Sequence, residues 1–165
     1  MGCLTSSLEL KLAKAQIDSV PSYGFTNIKT IGKVVDVYDG DTCKIILSIE
    51  DKLMRFNCRL KSIDSEEIKQ KKSESDREVK TELAIKARNR LIQLVSNCKI
   101  DIQDKKNKKE ISELLKTNTF IVEVRCGSFD KYGRLLVDLY SNSLLINDIM
   151  VLEGYAKSYD GKTKN

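Results

Sequence analysis

The chain has 165 residues, 41% hydrophobic and 32% charged, with a formal net charge of +5 and no histidine. That length suits one domain with a real core and is too short for two, while the mild positive charge favours polyanionic partners without singling one out. The absence of histidine excludes Ser-His-Asp and Cys-His catalysis in their usual forms and His-ligated zinc, so acid–base work near neutral pH falls to carboxylates, Lys, Tyr, Cys or metal-bound water.

In chain order, Met1-Gly2-Cys3-Leu4-Thr5-Ser6 fits the N-myristoylation pattern, with Gly2 exposed after Met removal and Cys3 beside it as a palmitoylation site. In a eukaryotic host this predicts dual acylation and membrane association. One myristoyl chain binds with only roughly 10⁴ M⁻¹, whereas two acyl signals anchor stably. Residues 7–28 carry weak helical amphipathicity (Leu8, Leu10, Leu12, Ala15, Ile17) and the single proline, Pro21. Residues 1–28 read as an N-terminal arm and 29–165 as the folded domain. Glu9, Lys11 and Lys14 interrupt any signal-peptide core, and no segment reaches the ~20 apolar residues of a membrane span. An intracellular protein is expected, held at a membrane only through acylation.

From Thr30 the pattern is β. Runs 30–38 and 42–49 are rich in Val, Ile and Thr and flank Asp39-Gly40-Asp41, a turn signal in which Gly tolerates positive φ. A third run, 53–63, alternates apolar and polar residues with a slip near Ser62. The polar stretch 68–76 reads as a mobile loop. Asp76 then caps a helix over about 77–97, with Val79, Leu83, Ala87, Leu91, Leu94 and Val95 on one face. Residues 99–118 are lysine-rich, with a short helix at 110–116, and a solvated charged loop is the favoured reading. A fourth strand, 119–126, and a fifth, 134–140, precede a helix over 144–153, with Asn142 or Ser143 as its cap and Gly154 as its stop. Three strands, a helix, two strands and a helix fits several arrangements, one of which is a five-stranded Greek-key barrel, an α+β OB-fold with two or three helices packed on it. The five cysteines, Cys3, Cys43, Cys58, Cys98 and Cys126, include no C-x-x-C pair. Structural zinc and a disulfide framework are therefore not implied, and those within strands read as small buried apolar residues.

The polar residues at the strand ends carry the chemistry. Asp41 lies in the first hairpin and Asp64 where the third strand leaves the sheet. If the first three strands share a barrel rim, both carboxylates converge on one hard cation, whose oxygen ligands lie at about 2.0–2.6 Å. Glu67 then reaches a water rather than the metal. Arg59, five residues before Asp64, and Arg134, after the Asp130-Lys131-Tyr132-Gly133 turn, aim bidentate forks suited to phosphate. Each residue alone has an ordinary structural explanation; in this order and between these strands the set does not.

Over roughly 31–159 this spacing resembles the staphylococcal nuclease family. The resemblance implies an OB barrel and a Ca²⁺-dependent nuclease, and a monomer is expected. It implies that Asp41, Asp64 and the backbone carbonyl of Ser65 hold the Ca²⁺, and that Glu67 orients or deprotonates the attacking water. It further implies that Arg59 and Arg134 bind the phosphate and stabilise its transition state, that Lys131 and Tyr132 contact a nucleotide's terminal phosphate, and that Tyr159 stacks near the base. The implied products from DNA or RNA end in 3′-phosphate. Glu66 stands where the family usually has proline, which removes a stiffening residue and adds a neighbouring charge. Residues 99–118 look like an insertion. Two competing readings are a catalytically silent OB module that binds single-stranded nucleic acid and a lipid-anchored adaptor. The intact set Asp41, Arg59, Asp64, Glu67 and Arg134 and the 6% aromatic content argue against the first; the second rests on Gly2 and Cys3 alone.

Overall fold

The computed structural model describes residues 7–20, 24–70, 75–102 and 107–160. Gly2, Cys3, Pro21, Lys105, Lys106 and the middle of the 68–76 loop lie outside them. Helix α1 (Ser7–Lys14) buries none of its residues, and one 3₁₀ turn follows at Ile17–Ser19. Phe25 and Ile28, within the stretch assigned to the arm, belong instead to the packing of the barrel. Phe25 sits edge-on to Phe56 and Phe129 with ring centroids at 5.1 and 5.5 Å.

The barrel is built from β1 (Lys29–Val37), β2 (Thr42–Ile49), β3 (Lys52–Leu60), β5 (Val122–Phe129) and β6 (Leu135–Ser141). Antiparallel pairing joins β3 to β2, β2 to β1, β1 to β5 and β5 to β6. The circle closes where Cys58–Leu60 runs parallel to Leu135–Val137. This is the α+β OB barrel expected from the sequence. Alternating residues of each strand fill its interior, among them Val34, Ile45, Leu47, Leu60, Leu135, Val137 and Leu139, all fully buried. A bulge between Val34 and Asp36 interrupts β1 just before the Asp39-Gly40-Asp41 turn, as bulges do where a rim is re-aimed.

The third strand ends at Leu60 rather than 63. Ser62 adopts φ +61°, and a separate two-residue strand, β4 (Ile63–Asp64), pairs with β8 (Lys157–Ser158). Helix α2 (Arg77–Val95) packs Ala84, Ala87, Leu91, Ile92 and Val95 into the core. Its first turns project past the barrel, so Val79 and Leu83 are 61% and 49% exposed rather than on the packed face. Asp76 occupies the cap position without a side-chain cap hydrogen bond; its carboxylate faces Lys80 at 3.6 Å instead.

In the lysine-rich segment, α3 (Lys108–Lys116) opens on a complete Asn107/Glu110 capping box and buries Ile111 and Leu115 fully. Half of that segment is thus packed helix, not solvated loop. Asn142 and Ser143 do not cap the last helix. Both have positive φ and form the two-residue turn from β6 into β7 (Leu144–Leu145), and α4 (Ile146–Leu152) starts directly after it. Asn147 of α4 is buried, accepting from Leu139 N–H at 3.1 Å and donating to the Lys61 and Val137 carbonyls at 3.0 and 3.1 Å. It ties α4 to the strand ends that lead into β4. Gly154 stops the helix with φ +79°.

Candidate active site

Arg59 lies opposite Thr42 in the β2–β3 ladder, which places its guanidinium beside the β1–β2 turn. One nitrogen, Nη1, donates to Asp41 Oδ1 at 2.7 Å; the other, Nη2, donates to Asp64 Oδ1 at 2.9 Å and to the Ile63 carbonyl at 3.2 Å. Asp41, only 2% exposed, also accepts from Thr42 Oγ1 and from the Ser65 N–H, each at 2.9 Å. Burial alone would lower the Arg59 pKa, but Asp41 and Asp64 raise it beyond its ordinary value. Arg59 is a permanent cation between two carboxylates.

Gly40 makes this approach fit. A Cβ there would lie 2.7 Å from the Ala87 Cβ and 2.9 Å from the Ser65 Cβ. Contrary to the positive-φ expectation, Gly40 is not among the residues with positive φ. It is needed because α2 and the Ser65 backbone close over the turn.

Asp39, read from sequence only as part of a turn, is 6% exposed and accepts from the Asp41 N–H at 3.2 Å. Burial, and then the neighbouring charge of Asp41, push its carboxyl up to about 7. Two acids flanking a glycine were the available signal, and only the tertiary closure over Gly40 reveals that both are buried.

Arg134 reaches the same rim from the β5–β6 turn. Asp130 Oδ1 accepts the N–H groups of Tyr132 and Arg134 at 2.9 Å each, and its Oδ2 accepts Arg134 Nε at 2.7 Å. Burial pushes the Asp130 carboxyl up, but these hydrogen bonds outweigh it and hold it below the usual range. Gly133 adopts the φ of +76° that the turn requires. Arg134 Nη1 lies 3.5 Å from Thr42 Oγ1, linking this guanidinium to Asp41. Tyr132 is 72% exposed, with Lys131 Nζ 5.1 Å and Arg134 Cζ 5.5 Å from its ring centre.

The structure thus brings together Asp41, Arg59, Asp64, Ser65 and Arg134, with Lys131 and Tyr132 beside the last. Glu67 is exposed on the loop after β4 rather than hydrogen-bonded into the cluster. Tyr38, a residue the sequence did not single out, precedes Asp39 in the chain, and its pKa is raised by burial and then by the charges of Asp39 and Glu67. Tyr159 is held through its backbone, whose N–H donates to the Ser62 carbonyl at 2.9 Å.

The donor set fits a hard cation. Asp41 and Asp64 supply only oxygen, and one guanidinium bridges the two. Among the described residues no three His, Cys, Asp or Glu side chains converge as a ready-made cage, so waters would complete the coordination.

A family model described as staphylococcal nuclease homologue matches residues 57–165, well over half of the chain. The chain belongs to the staphylococcal nuclease family. Arg59, Asp64, Glu67, Asp130 and Arg134 lie within the matched stretch, and Asp39 and Asp41 precede it. The hydrogen bonds from Arg59 and Ser65 attach Asp41 to the part of the chain that the nuclease family match covers. A comparison with curated proteins gives no match.

Proposed function

We propose that this family member is a calcium-dependent nuclease that hydrolyses DNA, RNA or both by in-line attack of water, leaving 3′-phosphate ends. The observation that supports it most is the Asp41–Arg59–Asp64 cluster at the barrel rim, with Arg134 tied to it through Thr42. Membership of the family supports the nuclease class. Asp41, Asp64 and the Ser65 carbonyl would hold Ca²⁺, which when bound polarises a phosphoryl oxygen and offsets developing charge. Arg59 exchanges its carboxylate partners for phosphate oxygens. Arg134 keeps Nε on Asp130 and presents its remaining N–H donors to the same phosphate, so both forks stabilise charge that grows in the transition state. Glu67, free to reach outward, orients the attacking water and takes its proton. Lys131 and Tyr132 receive a neighbouring phosphate, and Tyr159 lies near the base. Gly2 and Cys3, acylated, would hold the enzyme at a membrane; no helix among the described residues is long and apolar enough to cross one.

The deciding experiment is hydrolysis of single-stranded DNA and of RNA with Ca²⁺ or chelator, alongside Glu67→Gln. Cleavage should need Ca²⁺, leave 3′-phosphates, and fall by about 10²–10⁴ in kcat in the variant with nucleotide binding retained. A folded wild type that binds strands without cutting them would replace this reading with that of a binding module.

A further inference from the structure

A cleft of about 770 Å³ opens from the loop that carries Glu67. Its lining comes from three parts of the chain: that loop, the N-terminal half of α2 with Lys80, Leu83 and Lys86, and the segment running from α4 into β8 with Tyr155 and Lys157. The apolar stripe of α2 that fails to reach the core is what leaves Leu83 in this lining. Glu153, also at the cleft, is already neutralised by Arg90, whose Nε and Nη2 donate to its two oxygens at 2.6 and 2.7 Å; Asp64 is likewise held by Arg59. Lys86 pairs with Glu82 at 3.0 Å on exposed helix surface, and the half-buried Lys80 faces Asp76 at 3.6 Å; helix-surface pairs of this kind are weak.

We propose that this cleft binds the nucleotides flanking the scissile phosphate of an unpaired strand. Lys80, Lys86 and Lys157 take the backbone phosphates, and Leu83 and Tyr155 lie against a sugar or base. An unpaired strand fits because only an unstacked base offers its face to such side chains, and the contacts carry no base-edge readout. The inference rests on the nuclease reading, since continuity with Glu67 is what makes the occupant the substrate's own flank. It makes the enzyme one whose efficiency grows with substrate length.

The test compares wild type with Lys80→Gln/Lys86→Gln, two changes at helix positions that glutamine tolerates. The substrates are a dinucleotide with one cleavable bond and a 20-mer oligothymidylate, both with Ca²⁺. The expected result is unchanged kcat/KM on the dinucleotide and a fall of about five- to thirtyfold on the 20-mer. The slope of log KM against log salt on the 20-mer should fall by about 1.4, roughly 0.7 for each phosphate of the single strand that a lysine ceases to neutralise. Equal losses on both substrates, or no loss on the 20-mer, would overturn the cleft assignment. If wild type cleaves neither substrate, the nuclease reading fails instead. Anisotropy of a labelled 20-mer then still decides the cleft, with equal affinity of wild type and double variant sinking it.

Discussion

Arg134 leaves its turn with one edge of the guanidinium already engaged by Asp130, and this partner does two jobs through different oxygens. Oδ1 closes the turn by accepting two backbone N–H groups, while Oδ2 aims the side chain. Asp130→Asn can keep the first job through its amide oxygen but loses the charge-assisted bond of the second. We expect kcat to fall about 10- to 100-fold, as for a modest misplacement of a phosphate ligand, with little change in Tm. A kcat within twofold of wild type would show that Arg134 aims itself. Arg134→Lys should lose at least as much, because a point charge does not replace a fork, and should be indifferent to a second change at Asp130. Residues of this kind were legible because their types and spacing are chemically loaded. Asp39 and Tyr38 were not, since nothing local distinguishes a buried acid in Asp-Gly-Asp from an exposed one, and only the closing of α2 over Gly40 makes the difference.

The elements that periodicity identified well are those with one clean buried face, such as β2, whose residues alternate without exception, and the second half of α2. It failed where length is too short to carry a period, as in β4 and β8, and where a turn's own geometry won over a cap signal, as at Asn142 and Ser143. Gly40 is the point where two elements decide a residue. Gly40→Ala should destabilise by about 1–3 kcal/mol through overpacking and displace Asp41, lowering activity as well. Adding Ala87→Gly removes the closer of the two clashing carbons, so the double variant should regain part of both losses in urea titrations and in kcat/KM. No recovery would mean that the Ser65 contact alone governs the turn. In α3, Asn107→Ala should cost about 1 kcal/mol in the same titration. That value would show the capped helix to be an integral part of the barrel, as the burial of Ile111 and Leu115 requires; a cost near zero would make α3 an appendage.

At the scale of the whole molecule, the parallel closure between β3 and β6 is the feature no strand announces in its own sequence. It depends on where two strands end relative to each other, and it was expected here only from family resemblance. The closure makes the barrel a single cooperative object, and three cysteines report on it. Cys43 and Cys58 face each other across β2 and β3, and Cys126 lies in β5. All three are buried and free. Burial, followed by the proximity of Cys126, pushes Cys58 up to about 12, and burial first of all raises Cys43 and Cys126. At pH 8 the native barrel therefore holds almost no thiolate at these positions, and the thiolate is the reactive form. Cys98, exposed beyond α2, should react with an alkylating reagent at once. Cys43, Cys58 and Cys126 should react only through global unfolding, at one common rate that rises with urea in step with loss of the far-ultraviolet signal. Peptide-resolved mass spectrometry separates the sites. If Cys58 is modified ahead of Cys126 in the absence of denaturant, the β3–β6 seam opens locally, and the barrel that positions Arg59 and Arg134 is not closed on the timescale of labelling.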